Sequence, residues 1–208
     1  MKSIQYKITE FFTLFILLPI SFAFNYPFQI KMAIGVLGFS YIIFVLLKVE
    51  RKKLKIESNL NYKTFVKHTT LKLLVIVVVT TVFVWFTNKE LLFNVLLNKP
   101  KLWLLILFIY SFFSVYPQEL IYRAFYFERY KPLFENEKVF LLINAVVFSL
   151  AHLLFKNALV LILTFLGGLF FAFTYYKTKS TVLVSIEHAI YGCWLFTVGM
   201  GGMLGFPA

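Results

Sequence analysis

Residues 102–122 read LWLLILFIYSFFSVYPQELIY, a nearly unbroken apolar run that ends in the polar pair Gln118 and Glu119. A helix of about 20 residues crosses the hydrocarbon core of a bilayer, so this run predicts a transmembrane helix. Arg123 follows immediately, four residues after Glu119. The run therefore predicts a membrane protein. Its end brings ionisable groups close together in the sequence.

The composition of the whole chain agrees with a membrane setting. Of the 208 residues, 61% are hydrophobic and only 14% are charged, and the mean hydropathy is +0.83. Such a chain has too little polar surface to coat a globule in water. Its length allows about six to eight spans and leaves no room for a second, soluble domain.

The apolar runs are continuous rather than alternating, which argues against a closed β-barrel. We predict an all-α, polytopic transmembrane bundle of about seven helices. The expected spans are, approximately, 9–26, 30–47, 71–87, 102–122, 139–155, 158–175 and 181–199.

The first span could also be a removable signal peptide, since Lys2 and Lys7 precede it and Ser21-Phe22-Ala23 resembles a cleavage site. Only a short turn containing Pro27 separates it from the next run, as in a helical hairpin. We therefore expect a retained helix. In the sixth span, Gly167-Gly168 should let a neighbouring backbone approach closely.

The polar segment 48–70 divides the sequence into two predicted parts. Residues 1–70 hold two amino-terminal transmembrane helices and a basic cytoplasmic loop, part of which is expected to lie on the membrane surface as a short amphipathic piece. Residues 71–208 form the second predicted part, which contains the other five predicted spans. Cys193 is the only cysteine, so neither an internal disulfide nor a thiolate metal cluster is expected.

Basic residues predict the orientation. With a cytoplasmic amino terminus, the outside segments hold only Lys31, Lys89, Lys99, Lys101 and Lys156. The net charge of +12 then reflects a basic rim beside anionic lipid, so membrane lipid is the expected partner and nucleic acid is not. Because no organellar transit peptide precedes the first span, the sequence favours a bacterial plasma (inner) membrane.

Chemistry must come from the few ionisable groups at membrane depth, since burying a charge there is costly. Glu119 and Arg123 lie on one helical face and can neutralise each other. His152 and His188 lie inside later spans, at depths that overlap that of Glu119. We expect the three groups to share one pocket.

Two chemistries suit such a group. Glu119 could take a proton from water while a histidine holds that water or stabilises an oxyanion. Alternatively, Glu119, His152 and His188 could be ligands of zinc, which would activate a bound water. Both routes are hydrolysis. The sequence leaves open whether the protein uses zinc as a cofactor or uses no cofactor. The HExxH motif typical of zinc proteases is missing.

Three ordered motifs carry a family resemblance. Glu119-Leu-Ile-Tyr-Arg123, Phe148-Ser-Leu-Ala-His152 and His188-Ala-Ile-Tyr-Gly192 resemble the motifs of the CAAX protease and bacteriocin-processing (CPBP, or Abi) family of intramembrane proteases. Those motifs are two glutamates followed after three residues by arginine, then FxxxH, then HxxxN or HxxxD. The resemblance covers roughly residues 70–200. It implies an intramembrane helical bundle that hydrolyses peptide bonds, as in type II CAAX prenyl endopeptidases.

Two positions depart from the family pattern. Gln118 stands where the first glutamate would activate the water, and a glutamine cannot act as a general base. Gly192 stands where the third motif closes with Asn or Asp, and it has no side-chain donor. Either Glu119 has taken over the role of base or catalysis has been lost. Glu187 is a further carboxylate, but it points about 100° away from His188 around the helix.

Each candidate also has a structural interpretation. Glu119 and Arg123 could be an ion pair that only joins helices, and either histidine could only form an interhelical hydrogen bond. Asn144 and Ser149 are expected to form interhelical hydrogen bonds, whereas Arg129 is expected to be an interfacial anchor.

The sequence thus predicts a membrane-embedded endopeptidase, of glutamate-dependent or metalloprotease type, that acts on a membrane-associated or lipid-modified peptide or protein. Glu119, with Gln118, would act together with His152, while His188 polarises the scissile carbonyl and Arg123 keeps Glu119 ionised. The alternative is an inactive relative that serves as a membrane scaffold or immunity partner. A transporter is less favoured, because the polar groups are confined to the carboxy-terminal half.

Overall fold

The computed structural model describes residues 1, 3–51 and 62–206 of the chain. These residues form helices joined by short turns, and none of them lies in a β-strand. The predicted all-α fold is confirmed. Part of the polar segment 48–70 was expected to lie on the membrane surface; residues 52–61 of this segment lie outside the described residues.

Within the described part of the chain, seven helices are long and apolar enough to cross a membrane. In chain order they are α1 (Ile4–Phe22), α2 (Phe28–Val49), α3 (Tyr62–Thr87), α4 (Pro100–Leu133), α5 (Glu137–Phe155), α6 (Ala158–Thr178) and α7 (Thr181–Val198). Each of the seven predicted spans coincides with one of these helices. The fold is therefore a polytopic helical bundle.

Helix α4 continues beyond the predicted end of its apolar run, through Leu133. The polar residues that ended the run in the sequence, Glu119, Arg123 and Arg129, are all buried in the structure. They remain in the helix because each has a partner of opposite charge. Burial of paired charges thus extends the span beyond what hydropathy alone indicates.

The geometry of α4 changes around Pro117. Two wide π-helical turns, Tyr110–Val115 and Leu120–Phe125, flank the short α-helical stretch Tyr116–Glu119. Pro117 has no N–H and therefore removes one hydrogen bond from the regular helical pattern. Wide turns of this kind frequently occur at functional sites, and here one of them begins directly after Glu119.

The described helices belong to two compact units, and the boundary between the units falls inside α4. The first unit comprises Met1–Lys55 and Gln118–Lys177, and the second comprises Ile56–Pro117 and Thr178–Ala208. This division follows contacts between helices. The predicted division into 1–70 and 71–208 concerns the extent of the protease-like core, and it stays a prediction.

The first unit has an aromatic core between α1 and the second part of α4. Phe15 is almost fully buried and meets Tyr122 and Tyr130 edge to face, with ring centroids 5.4 and 5.7 Å apart. At the start of α5, the Asn136 side chain accepts hydrogen bonds from two N–H groups of the first turn, at 2.9 and 3.2 Å. This cap fixes where α5 begins.

The second unit is built from α3, the first part of α4 and α7. Its core contains the buried side chains of Val95, Ile106, Tyr110, Val115 and Phe196. Helix α7 is capped at its start by Ser180, whose hydroxyl oxygen accepts from an N–H of the first turn at 3.2 Å. It ends at Val198, and the residue that follows, Gly199, has a φ of +105° that favours glycine.

Candidate active site

Glu119 and Arg123 form a buried ion pair in the first unit. Arg123 Nε lies 3.4 Å from Glu119 Oε2, and neither side chain is exposed. The predicted pairing of the two side chains along one helical face is confirmed. Each charge needs the other here, because a lone charge at this depth would be costly.

Three further groups hold the guanidinium of Arg123. Its Nη1 donates to Asn144 Oδ1 at 2.8 Å and to the Tyr122 carbonyl at 3.2 Å, and its Nη2 donates to the Gly168 carbonyl at 3.4 Å. Helices α4, α5 and α6 thus all contribute to its position. The expected interhelical bonding of Asn144 is confirmed, but its partner Arg123 was not foreseen in the sequence.

Phe148 connects Arg123 with His152. The Arg123 guanidinium carbon lies 5.0 Å from the centroid of the Phe148 ring, and the His152 ring meets the same ring edge to face at 4.9 Å. The first residue of the FxxxH motif therefore contacts both a residue of the first motif and its own histidine. This arrangement brings Glu119, Arg123 and His152 into one continuous set of contacts within the first unit.

His152 follows the regular α-helical part of α5, which ends at Leu150. Its Nδ1 lies 2.8 Å from the Phe148 carbonyl oxygen. A carbonyl oxygen can only accept, so Nδ1 carries the proton, and in a neutral imidazole Nε2 is then the acceptor nitrogen. The ring is partly buried rather than sealed in the core.

Gln118 is half-buried at the start of the first unit's part of α4, immediately before Glu119. Its carboxamide can both donate and accept hydrogen bonds, but it cannot take up a proton. Glu119 is the only carboxylate of the first motif, and its role as the base stays a prediction.

His188 lies in the second unit, where it is buried on α7. Its ring meets the ring of Tyr110 edge to face, with centroids 6.0 Å apart. The expectation that His188 shares a pocket with Glu119 and His152 stays a prediction.

The neighbouring Glu187 has partners of its own in the second unit. Its Oε1 is 2.5 Å from Lys72 Nζ and accepts from the Tyr191 hydroxyl at 2.9 Å. The Tyr191 hydroxyl also lies 3.2 Å from the Thr69 carbonyl. Lys72 lies within the predicted span 71–87 and belongs to α3, but its pairing with Glu187 was not predicted.

Gly192 is packed tightly against Tyr110. A Cβ atom added to Gly192 would overlap the hydroxyl and the ring of Tyr110. The absence of Asn or Asp at this position therefore has a local structural cause, because the tyrosine occupies the space that such a side chain would need.

A second buried charge cluster lies elsewhere in the first unit. Arg129 Nε pairs with Glu10 Oε2 at 2.7 Å, and Arg129 Nη1 pairs with Glu50 Oε1 at 2.6 Å. The interpretation of Arg129 as an interfacial anchor was wrong, because the side chain is fully buried between these two carboxylates.

Metal binding gains no support from the grouping of side chains. Among the described residues, no three His, Cys, Asp or Glu side chains lie close enough together to hold a metal ion. Glu119, moreover, faces the guanidinium of Arg123. The zinc ligand set Glu119, His152 and His188 stays a prediction.

Comparison with known proteins gives one family match. Residues 100–194 match the family described as type II CAAX prenyl endopeptidase Rce1-like. No curated protein and no solved structure matches the chain. The matched segment contains Gln118, Glu119, Arg123, His152 and His188. Together with the seven apolar helices, the match indicates an integral membrane protein that is similar to a protease family. It confirms the resemblance of the three motifs to the CAAX protease family, over residues 100–194 of the chain.

Proposed function

We propose that the chain is an intramembrane endopeptidase in which Glu119 and His152 activate water and His188 polarises the scissile carbonyl. The observation that carries this proposal is the buried pair of Glu119 and Arg123 within the segment that matches the family. A charged pair buried at membrane depth is typical of a functional site.

The arrangement of the first unit supports a role for His152 in holding water. With the proton on Nδ1 donated to the Phe148 carbonyl, Nε2 can accept a hydrogen bond from a water molecule. Glu119 then takes the other proton of that water as the general base. Gln118 can hydrogen-bond the same water but cannot replace Glu119 in removing its proton.

The reaction then balances as an ordinary peptide hydrolysis. The hydroxide formed from water adds to the carbonyl carbon, and His188 stabilises the negative charge that develops on the carbonyl oxygen. Glu119 passes the proton to the amide nitrogen as the carbon–nitrogen bond breaks. The products are a carboxylic acid and an amine, and the glutamate returns to its ionised form beside Arg123.

The proposed substrate is a peptide or protein that is associated with the membrane or carries a lipid. We place the amino terminus in the cytoplasm, because most basic residues then lie on the inner side, and we assign the chain to a bacterial-type plasma membrane. A labelling experiment tests the orientation. In a Cys193→Ala background, Lys138→Cys should react with an impermeant thiol reagent only from the inside, and Lys101→Cys only from the outside.

Purified protein in detergent or liposomes, incubated with a library of membrane peptides and analysed by mass spectrometry, tests the activity. We expect Glu119→Gln to lower the cleavage rate by about 10²–10⁴-fold, the usual contribution of a general base. His152→Ala should also lower it strongly. The exposed Glu135→Gln is the matched control and should cleave like the parent. Each protein is assayed with and without a chelator, which tests the zinc alternative.

The variant Gln118→Glu tests whether the parent protein is catalytically active or is an inactive relative of the family. A parent that cleaves, and that loses cleavage on Glu119→Gln, supports the proposal. A silent parent whose Gln118→Glu variant cleaves would contradict it and would favour a role as a membrane scaffold or immunity partner.

A further inference from the structure

The space beside Gly192 is occupied by the hydroxyl group and part of the ring of Tyr110. Gly192 follows His188 by four residues on α7, so the two positions lie on the same helical face, one turn apart. A side chain on Gly192 would project into the ring and hydroxyl of Tyr110. The Tyr110 hydroxyl therefore stands one turn from His188, where the side chain of residue 192 would otherwise begin.

We infer that the Tyr110 hydroxyl donates a hydrogen bond to the carbonyl oxygen of the substrate, next to His188, in place of a side chain at Gly192. This inference rests on the proposed function. A phenol O–H is a suitable donor for this purpose, and tyrosine is among the side chains that stabilise oxyanions in enzymes.

The surroundings of Tyr110 hold its ring in a fixed orientation. Its ring meets Phe196 edge to face at 4.8 Å and His188 edge to face at 6.0 Å. Val95, Ile106 and Val115 complete the buried cluster to which it belongs. A donor held in place before the reaction starts needs no reorganisation as charge develops, which is what makes such groups effective.

The helical geometry at this point also favours a functional role. Tyr110 begins the first wide π-helical turn of α4, Tyr110–Val115. Such turns change the direction in which side chains leave a helix and are frequent at functional sites. Gly192 and Tyr110 are thus complementary: the small residue on α7 makes room for the large one on α4.

The variant Tyr110→Phe tests the hydroxyl while keeping the ring that fills the space. Loss of one oxyanion donor lowers kcat by about 10²–10³-fold, and we expect a loss of this size with little change in KM. The thermal stability should change little, because the buried ring remains. Tyr116→Phe is the matched control, since Tyr116 lies on the same helix and is exposed; it should retain the parent's kcat.

A residue exchange supplies a second test. Gly192→Asn alone should lose both activity and stability, because the asparagine would collide with Tyr110. Tyr110→Ala alone should lose activity. The double variant Tyr110→Ala with Gly192→Asn should recover cleavage above that of either single variant, because the amide then occupies the space left by the phenol and can donate in its place.

The outcomes separate this inference from the proposed function. If the parent cleaves and depends on Glu119, but Tyr110→Phe cleaves with an unchanged kcat, the role of the hydroxyl is overturned and the protease assignment stands. If the parent does not cleave any peptide, the protease assignment is overturned and this inference falls with it.

Discussion

Arg123 Nη1 donates to Asn144 Oδ1 at 2.8 Å, and neither side chain is exposed. The Asn144 amide also donates from Nδ2 to the Tyr122 carbonyl at 2.7 Å, so both ends of the carboxamide are used. Helix α5 thereby fixes the guanidinium that pairs with Glu119. The position of the candidate base depends on a residue outside the three family motifs.

Asn144→Leu is therefore expected to affect both stability and activity. It removes an acceptor from a buried arginine and a donor from a buried carbonyl, and leaving buried polar groups without partners costs about 1–3 kcal/mol each. We expect a lower free energy of unfolding in detergent and a slower cleavage rate. Denaturation curves and the peptide assay measure the two effects.

Ser149→Ala is the matched control on the same helix. Its hydroxyl donates to the Leu161 carbonyl at 2.8 Å, whereas the Asn144 carboxamide accepts from Arg123. Interhelical hydrogen bonds in membranes average about 0.6 kcal/mol, so its loss should be small and the rate should be preserved. An Asn144→Leu variant that cleaves as fast as Ser149→Ala would show that Asn144 does not position Arg123.

Gly168 allows α6 to approach α5 closely. A Cβ atom at this position would lie 3.0 Å from the Ala145 Cα and 3.2 Å from the Phe148 ring. Overpacking of this kind costs about 1–3 kcal/mol, so Gly168→Ala should lower the unfolding free energy. It should also slow cleavage, because Phe148 contacts both Arg123 and His152.

Gly35→Ala makes the same chemical change at a position where nothing lies within 4 Å. Since alanine favours the helix over glycine by about 1 kcal/mol, this variant should be unchanged or slightly stabilised. Equal destabilisation by the two substitutions would contradict the close approach at Gly168.

Hydropathy predicted the seven spans because each depends on a local property, a run of about 20 apolar residues. The pairing of Glu119 with Arg123 was also predictable, since a spacing of four residues places both on one helical face. The close approach at Gly168 followed from its small size. These features can be predicted from residues that are close in sequence or from the general properties of a bilayer.

Other features depend on which helices meet, and a single sequence does not contain that information directly. Arg129 was assigned to the interface because it follows an apolar run, yet it pairs with Glu10 and Glu50 from distant parts of the chain. Lys72 likewise pairs with Glu187, which is 115 residues away. The fit of a glycine at position 192 depends on Tyr110, which lies 82 positions earlier in the chain and packs beside it.

Lys72→Met should destabilise the second unit. It removes the cation that lies 2.5 Å from the fully buried carboxylate of Glu187. Breaking a buried ion pair by removing one partner costs about 3–5 kcal/mol, because the other charge stays buried. The free energy of unfolding in detergent measures this loss. Lys67→Met, at an exposed position on the same helix, should have little effect.

The double variant Lys72→Met with Glu187→Gln removes both charges together. It should recover much of the stability, since the remaining amide can still hydrogen-bond the Tyr191 hydroxyl. If the double variant were as unstable as Lys72→Met alone, the buried charge of Glu187 would not be the cause of the destabilisation.

Arg129→Met should destabilise the first unit by a comparable amount. The substitution leaves the carboxylates of Glu10 and Glu50 without their shared guanidinium, and the expected loss is about 3–5 kcal/mol. Arg129→Lys should restore little of this, because a single ammonium cannot bridge two carboxylates with the planar fork of an arginine. Unfolding in detergent, followed by circular dichroism, measures both variants.

Lys131→Met is the control for loss of a positive charge in the same segment. Its pair with Glu137 is exposed, and exposed ion pairs contribute about 0–1 kcal/mol. A large difference between Arg129→Met and Lys131→Met would show that burial, not charge alone, gives Arg129 its effect. Similar small losses in both variants would mean that Arg129 does not hold Glu10 and Glu50 in the folded protein.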